Sequence, residues 1–437
     1  MKKAIMLVLD GAADRPAPEL GGKTPLEAAR TPHLDSLAAL GATGVHYALG
    51  HFIAPSTDHA HFVMLGYPYD SYPGRGYVEA LAHSIDLEPE DVVLRDLFVT
   101  TSREGERWII EREAVEFTES ECEKLSADLP PFAYAGITFE HVYTGKRHGF
   151  LIMRGAGTID FSDTDPFASG LPVLMPQALE GAASPAAARR AAAGLAAWTR
   201  HAHRVLSSHP VNDARRARGL PPLDTIVAKW PGMARPTPSF YELTGFRAAI
   251  VATSRLFEGI ARLLATDYIA VEPGLEPHAE ARALVESGIR ALESHDFVLV
   301  NTKLPDEAGH KKDPETKARI LEDLDAGLAN LLDCALDGST AIIVTADHGT
   351  PSSGTLLHSG DPAPLAVVSE AFAPDQVTSF TERAACKGSL GPLSGADIMP
   401  LVLHCTNRSR YRGSRPYPQD RPARATVDRV AFLDLEG

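Results

Sequence analysis

Apolar and polar positions alternate along this chain on two length scales. Short, almost wholly apolar runs stand at residues 3–9, 248–253, 297–300, 341–344 and 365–368, and stretches of helical periodicity separate them. Runs with no polar side predict strands covered on both faces. Their alternation with helices predicts an α/β fold with a largely parallel sheet and helices on both faces. Thr31-Pro32 opens a predicted helix over 31–40. From about residue 78 the pattern changes. Strand-like pieces at 108–110 and 150–153 lead into an Ala-rich segment, 184–205, that reads as a packed helix, since Ala is the best helix former. The Pro-rich stretch 231–238 reads as a hinge back to the first pattern. The predicted organisation is a discontinuous core, 1–77 with 236–437, and an inserted α+β cap domain, 78–235. A basic, Pro-rich surface extension is predicted over 406–437.

Polar residues able to bind metal cluster where the apolar runs stop. The run ending at Asn301 is followed by a polar, Gly-containing stretch from Lys303 to His310, read as a loop, that carries Asp306 and His310. Asp347-His348 stands just past the run 341–345, and His358 follows in a Ser- and Gly-rich loop short enough to fold back over the same edge. Asp10-Gly11 ends the first run in the same way, with a Gly that permits close backbone approach. In open α/β sheets ligands gather at the carboxyl ends of strands, because the loops there converge. Asp carboxylates with neutral His nitrogens and no thiolate suit Zn, Mn or a similar divalent ion and argue against a closed structural zinc site. A further block before the apolar residues 62–65 holds Ser56, Thr57, Asp58, His59 and His61. A hydroxyl beside a divalent ion becomes a nucleophile at neutral pH.

Composition narrows the class of protein. With 437 residues and 44% hydrophobic content the chain can fill two cores. Its 42 basic and 57 acidic residues give 42 − 57 = −15, and the body of the chain has no basic run of note. That balance excludes nucleic acid and anionic membrane as the expected partners. No apolar run reaches spanning length, and Lys2-Lys3 precede only a strand-length run, unlike a signal peptide. Cys122, Cys334, Cys386 and Cys405 are scattered, the pattern of reduced thiols in a cytoplasmic protein.

The order of short blocks resembles the archaeal-type cofactor-independent phosphoglycerate mutases of the alkaline phosphatase superfamily. The blocks are 8–16, 21–28, 31–35, Leu65-Gly-Tyr67, Gly74-Arg-Gly76 with Glu79-Ala80, 162–166, His209-Pro-Val-Asn212, Asp306-Glu-Ala-Gly-His310, Ala346-Asp-His-Gly349 and 358–362, spread over residues 1–405. The resemblance implies an alkaline phosphatase-like core with two divalent ions and no 2,3-bisphosphoglycerate. Asp10, the nucleophilic hydroxyl, Asp347 and His348 would hold one ion; Asp306, His310 and His358 would hold the other. It implies interconversion of 3-phosphoglycerate and 2-phosphoglycerate, small phosphorylated substrates, through a phosphoenzyme, and leaves a homo-oligomer open. Lys303, beside Asp306, would share in catalysis, and His61, which aligns with a family His, would act as acid or base on the leaving oxygen, bind substrate, or support the metal-bound hydroxyl.

Two departures bear on nucleophile and substrate. The family's Ser, followed directly by Asp, Thr, Ala and His, is here Thr57-Asp58-His59-Ala60-His61, so Thr57 takes the nucleophile position and Ser56 is the alternative one residue away. The family's Arg-Gly-Ala-Gly block is replaced by residues 228–236, where Lys229 offers a point charge in place of a bidentate fork and Arg235 a shifted guanidinium. Arg75, Arg154 and Arg215 are further candidate cations for substrate. The alternative activity is that of a phosphomonoesterase or phosphonate hydrolase with a Thr nucleophile.

Overall fold

A computed structural model describes residues 2–111 and 116–409. These fall into two compact units, one drawn from the segments before Pro73 and after Pro236, the other from Pro73–Pro236.

The first unit is built on an eight-stranded sheet among the described residues. Its order is Asp267–Ala270, Ala248–Ala252, Phe297–Thr302, Lys3–Leu9, Thr340–Thr345, Ala363–Val368, Ala42–Tyr47 and Gly391–Ser394. All the pairings are parallel except the two made by Ala363–Val368, which alone runs the other way. The central strand shows why the runs lack a polar side. Ile5, Leu7 and Leu9 enter a core with Leu284, Leu321, Leu324 and Leu331, while Met6 and Val8 on the opposite face are equally buried. The helix expected over 31–40 is Pro32–Leu40, with Pro in its first turn.

Register then fixes the working edge. Leu9 pairs with Thr302, and Val8 pairs with both Asn301 and Thr345. Asp10, Lys303 and Asp347 therefore leave three adjacent strands at one level. Because Ala363–Val368 is reversed, the segment entering it arrives at this same edge, carrying His358.

The second unit is a mainly antiparallel sheet whose longest strand, Val92–Glu104, lies between His148–Arg154 and Thr225–Met233. The Ala-rich segment is the helix Pro185–Ser207, and it buries Ala191, Leu195, Trp198 and Ala202 in this unit's core. The hinge expected from Pro231 begins later: Thr225–Met233 continues through it as a strand. Val93 pairs with Gly232 and Arg95 with Lys229, leaving Trp230 and Pro231 opposite Leu94 alone. The bulge puts Trp230 at φ 57° and frees Pro231 from donating a ladder hydrogen bond.

The expected surface extension is packed at its start, where buried Arg408 stacks on Phe246 and pairs with Asp296. Residues 410–437 of that extension lie outside the described residues. No described helix is long and apolar enough to cross a membrane.

Candidate metal centre

The stretch expected to be a loop after Lys303 is the helix Leu304–His310. Pro305 in the first turn and two acidic residues against the helix dipole favour this start. Helical spacing sets Asp306 and His310, four residues apart, on one face, with His310 Nε2 3.3 Å from Asp306 Oδ1. The hydroxyl block also forms a helix, Thr57–Met64, with Ser56 at the N-cap making no side-chain cap bond.

Thr57 is the hydroxyl brought to the centre. Its Oγ1 donates to Asp10 Oδ1 at 3.3 Å, accepts from Lys303 Nζ at 3.2 Å and lies 3.3 Å from His348 Nε2. Ser56, one residue earlier and half-buried, makes no such side-chain contact among the described residues. Lys303 Nζ also reaches Asp10 Oδ2 at 3.0 Å and Asp306 Oδ2 at 3.3 Å. Burial opposes the charge on Lys303, but Asp10, Asp306 and Asp347 outweigh it and raise its pKa, so it is an ammonium.

Ligand-type atoms of Asp10, Asp347 and His348 all lie within 4.8 Å of one another, and so do those of Asp306, His348 and His358. His310 stands beside the second group through Asp306. Hydrogen bonds aim these atoms. Asp347 Oδ1 accepts from the amides of Gly11 and His348, both at 3.0 Å, whereas its buried Oδ2 has no hydrogen-bond partner. Thr350 Oγ1 donates to Asp306 Oδ1 at 2.6 Å and lies 3.2 Å from His348 Nδ1. With its proton committed to the carboxylate, this hydroxyl accepts from Nδ1–H and leaves His348 Nε2 with a free lone pair. His358 Nδ1 donates to the Pro55 carbonyl at 2.7 Å, so its Nε2 likewise faces Asp306 Oδ1, 3.5 Å away.

The electrostatics ask for a cation. Burial, and then the neighbouring Asp10 charge, push Asp347 well above the usual carboxylate range. Burial would raise Asp306 too, but hydrogen bonds with His310 and His358 and the Lys303 charge lower it. His348 is driven well below its ordinary pKa by burial and by His358, which keeps it neutral and fit to ligate. Three buried carboxylates, a neutral His348 imidazole and a buried Asp347 oxygen without a hydrogen bond fit divalent cations.

Not every expected residue keeps its expected place. His61 is fully buried: its Nδ1 donates to the Thr57 carbonyl at 2.7 Å, one helical turn back, and Asn301 Nδ2 donates to its Nε2 at 3.3 Å. With both nitrogens engaged inside the protein, His61 supports the Thr57 helix and is not an exposed acid or base. His59 stacks on Tyr72 and Tyr69. In the second unit, Arg154 binds Asp91 at 2.7 Å, Glu140 at 2.9 Å and the Asp86 carbonyl, and Arg215 is fully buried against Glu121. Both guanidiniums are thus tied to carboxylates of that unit. Lys229 and Arg75 differ. The Lys229 ammonium lies 4.3 Å from the Trp230 ring and 3.4 Å from Asp165, and the Arg75 guanidinium covers Trp230 at 3.9 Å while its Nε pairs with Glu79. Arg235 follows the strand in half-buried coil. Next to Lys229, burial pushes Asp163 up to about 6. Thr350 and Asn301 escaped sequence reading; only the adjacency of Thr350 to Asp347-His348-Gly349 marked it.

A family model described as the Metalloenzyme superfamily matches residues 2–404. The 2,3-bisphosphoglycerate-independent phosphoglycerate mutase 1 of Archaeoglobus fulgidus is 36% identical over 417 residues, covering 94% of this chain and 99% of that one. The corresponding enzyme of Methanopyrus kandleri is 34% identical over 419 residues, covering 94% and 98%. Among solved structures, the PH0037 protein of Pyrococcus horikoshii superposes with a TM-score of 0.75 at 28% identity, covering 94% of this chain and 99% of its own. The cofactor-independent phosphoglycerate mutase of Thermoplasma acidophilum gives 0.61 at 28%, covering 92% and 99%. On this similarity, end to end and in the order of its blocks, the chain belongs to the metalloenzyme superfamily and, within it, to the 2,3-bisphosphoglycerate-independent phosphoglycerate mutases.

Proposed function

We propose that this enzyme interconverts 3-phosphoglycerate and 2-phosphoglycerate through a phosphoenzyme on Thr57, with two Mn or Zn ions and without 2,3-bisphosphoglycerate. The observation that carries the reading is the Thr57 hydroxyl, held at once by Asp10, Lys303 and His348. Asp10, Thr57, Asp347 and His348 would hold one ion, and Asp306, His310 and His358 the other. Bound divalent ions supply Lewis acidity to the attacking hydroxyl and to the phosphoryl oxygens.

The chain's own groups account for the remainder. Asp10 Oδ1, which already accepts the Thr57 proton, is placed to take it as Oγ1 forms its bond to phosphorus. The bond from phosphorus to the substrate oxygen breaks, that oxygen gains one proton in net exchange for the one Thr57 gave up, and the glycerate left behind carries two hydroxyls; the return step reverses this exchange and restores the Thr57 hydroxyl. Attack by the other hydroxyl returns the phosphoryl group at the new position and frees Thr57. The Lys303 ammonium offsets negative charge growing on the Thr57 oxygen and the phosphoryl group. Lys229, Arg75 and Arg235 are the cations proposed for the substrate carboxylate. Mutase action requires that the glycerate stay while water stays out; otherwise the same phosphoenzyme hydrolyses. The named relatives support the mutase outcome over the hydrolase one.

The test is acid quenching during turnover followed by peptide mass analysis. One phosphoryl group on Thr57 is the expected result. Its appearance on Ser56, or on no residue, would overturn the assignment.

A further inference from the structure

Behind the ligand loops lies a charge that the chemistry above leaves unused. Lys317, on the helix Pro314–Ala326, is fully buried, and its ammonium is enclosed by oxygens. The carbonyls of Gly11 and Thr350 accept from it at 2.8 Å, Asp14 Oδ2 at 2.9 Å and the Ala13 carbonyl at 3.2 Å. A Lys is almost never fully buried, and when it is, each proton must find an acceptor. Here the acceptors come from only two stretches, 11–14 and 350, and each borders metal ligands.

Gly11 follows Asp10 and donates its amide to Asp347, and Thr350 stands two residues past His348 and bonds Asp306 through its hydroxyl. The stretches also touch directly, since the Thr350 amide donates to the Ala13 carbonyl at 3.1 Å, and Asp14 accepts from the Ser352 amide. Gly11 has φ 65°, and a Cβ there would come within 2.4 Å of Thr350 Oγ1, so the loops interlock with no room for adjustment. Backbone carbonyls crowded on one centre repel unless a cation sits among them. An ammonium is a compact point charge with three donors, suited to that place.

We propose that Lys317 is a positioning residue whose fixed ammonium does the work of a structural cation, clamping the Asp10 loop to the Asp347–Thr350 loop so that both ligand groups hold their spacing before metal arrives. The proposal rests on the metal-centre reading above. The test is calorimetric titration of metal-free protein with Mn²⁺ for the wild type, Lys317→Met and Leu321→Ala, with the melting temperature of each. Leu321 lies one turn along the same helix, fully buried in the apolar core that also holds Ala12 and Ala13, and its side chain has no polar atom to bind the loop carbonyls. Lys317→Met is expected to weaken Mn²⁺ binding by about 10–100-fold. Leu321→Ala is expected to lower the melting temperature yet keep the wild-type dissociation constant within about 3-fold.

Wild-type Mn²⁺ affinity in Lys317→Met overturns the proposal, and so does an equal loss in Leu321→Ala. If Lys317→Met does not fold, Lys317→Gln is judged by the same criterion. Failure of both to fold assigns Lys317 to the fold alone. A wild type that binds no Mn²⁺ overturns instead the metal-centre reading on which the proposal stands.

Discussion

Replacing Thr350 by Val keeps the shape of the side chain and removes its one polar atom, which bridges the two ligand groups. Oγ1 sits 2.6 Å from Asp306 Oδ1. A methyl carbon needs about 3.5 Å from a neighbouring heavy atom, so the Asp306 carboxylate must retreat by roughly 0.9 Å or the loop must open. The lost bond is one to a charged acceptor, worth about 1.5–3 kcal/mol. The same change leaves the buried His348 Nδ1–H without its acceptor, 3.2 Å away in the wild type, and frees the ring to turn. These losses overlap, because both act by moving ligands, so they do not add in full. An overall cost of about 1.5–3 kcal/mol corresponds to a metal dissociation constant raised about 10–100-fold. Calorimetric titration of metal-free protein with Mn²⁺ measures it, and Thr350→Ser, which keeps the hydroxyl, serves as the rescue. Binding by Thr350→Val at wild-type affinity, or equal weakening in Thr350→Ser, would show that the Thr350 hydroxyl does not position the ligands.

Other outcomes follow from the same contacts. Thr57→Ala should abolish the phosphoenzyme while Ser56→Ala keeps it, read by intact mass after quenching; the opposite pattern moves the nucleophile. Burial pushes Glu382 from its ordinary 4.5 up to about 7. Its folded pKa lies above the unfolded one, so its contribution is complete below about 4.5 and lost as pH rises through 7. Allowing for partial exposure, this is roughly 2–3 kcal/mol. Glu382→Gln should therefore flatten the melting temperature between pH 5 and 8 as compared with the wild type, and an unchanged slope would refute the shift. Arg154→Ala should cost about 1–3 kcal/mol by stranding buried Asp91, with kcat/KM within about 2-fold of wild type; a large rise in KM would return Arg154 to the substrate site.

The sheet was legible because runs with no polar side have few alternatives to a doubly covered strand, and Asp10, Asp347 and His348 follow directly from where such runs stop. Other features depended on contacts distant in sequence. The stretch after Lys303 contains a Gly and many polar residues, so it reads as loop, although Pro305 and the acidic first turn mark a helix start. His61 looks like chemistry beside a hydroxyl, yet its helix turns it inward onto Asn301, which lies 240 residues away in the chain. Lys317 reads as a solvated charge in any helical pattern; only the folding of two distant loops around it makes it a buried cation. Pro231 opens a Pro-rich stretch that reads as a hinge, but a bulge absorbs it within a strand.

The most direct test of the account is phosphorus NMR of the purified protein given Mn²⁺ or Zn²⁺ and 3-phosphoglycerate. 2-Phosphoglycerate is expected to appear and approach equilibrium with its isomer while free phosphate does not accumulate. Free phosphate as the only product, or no turnover with either metal, would contradict it.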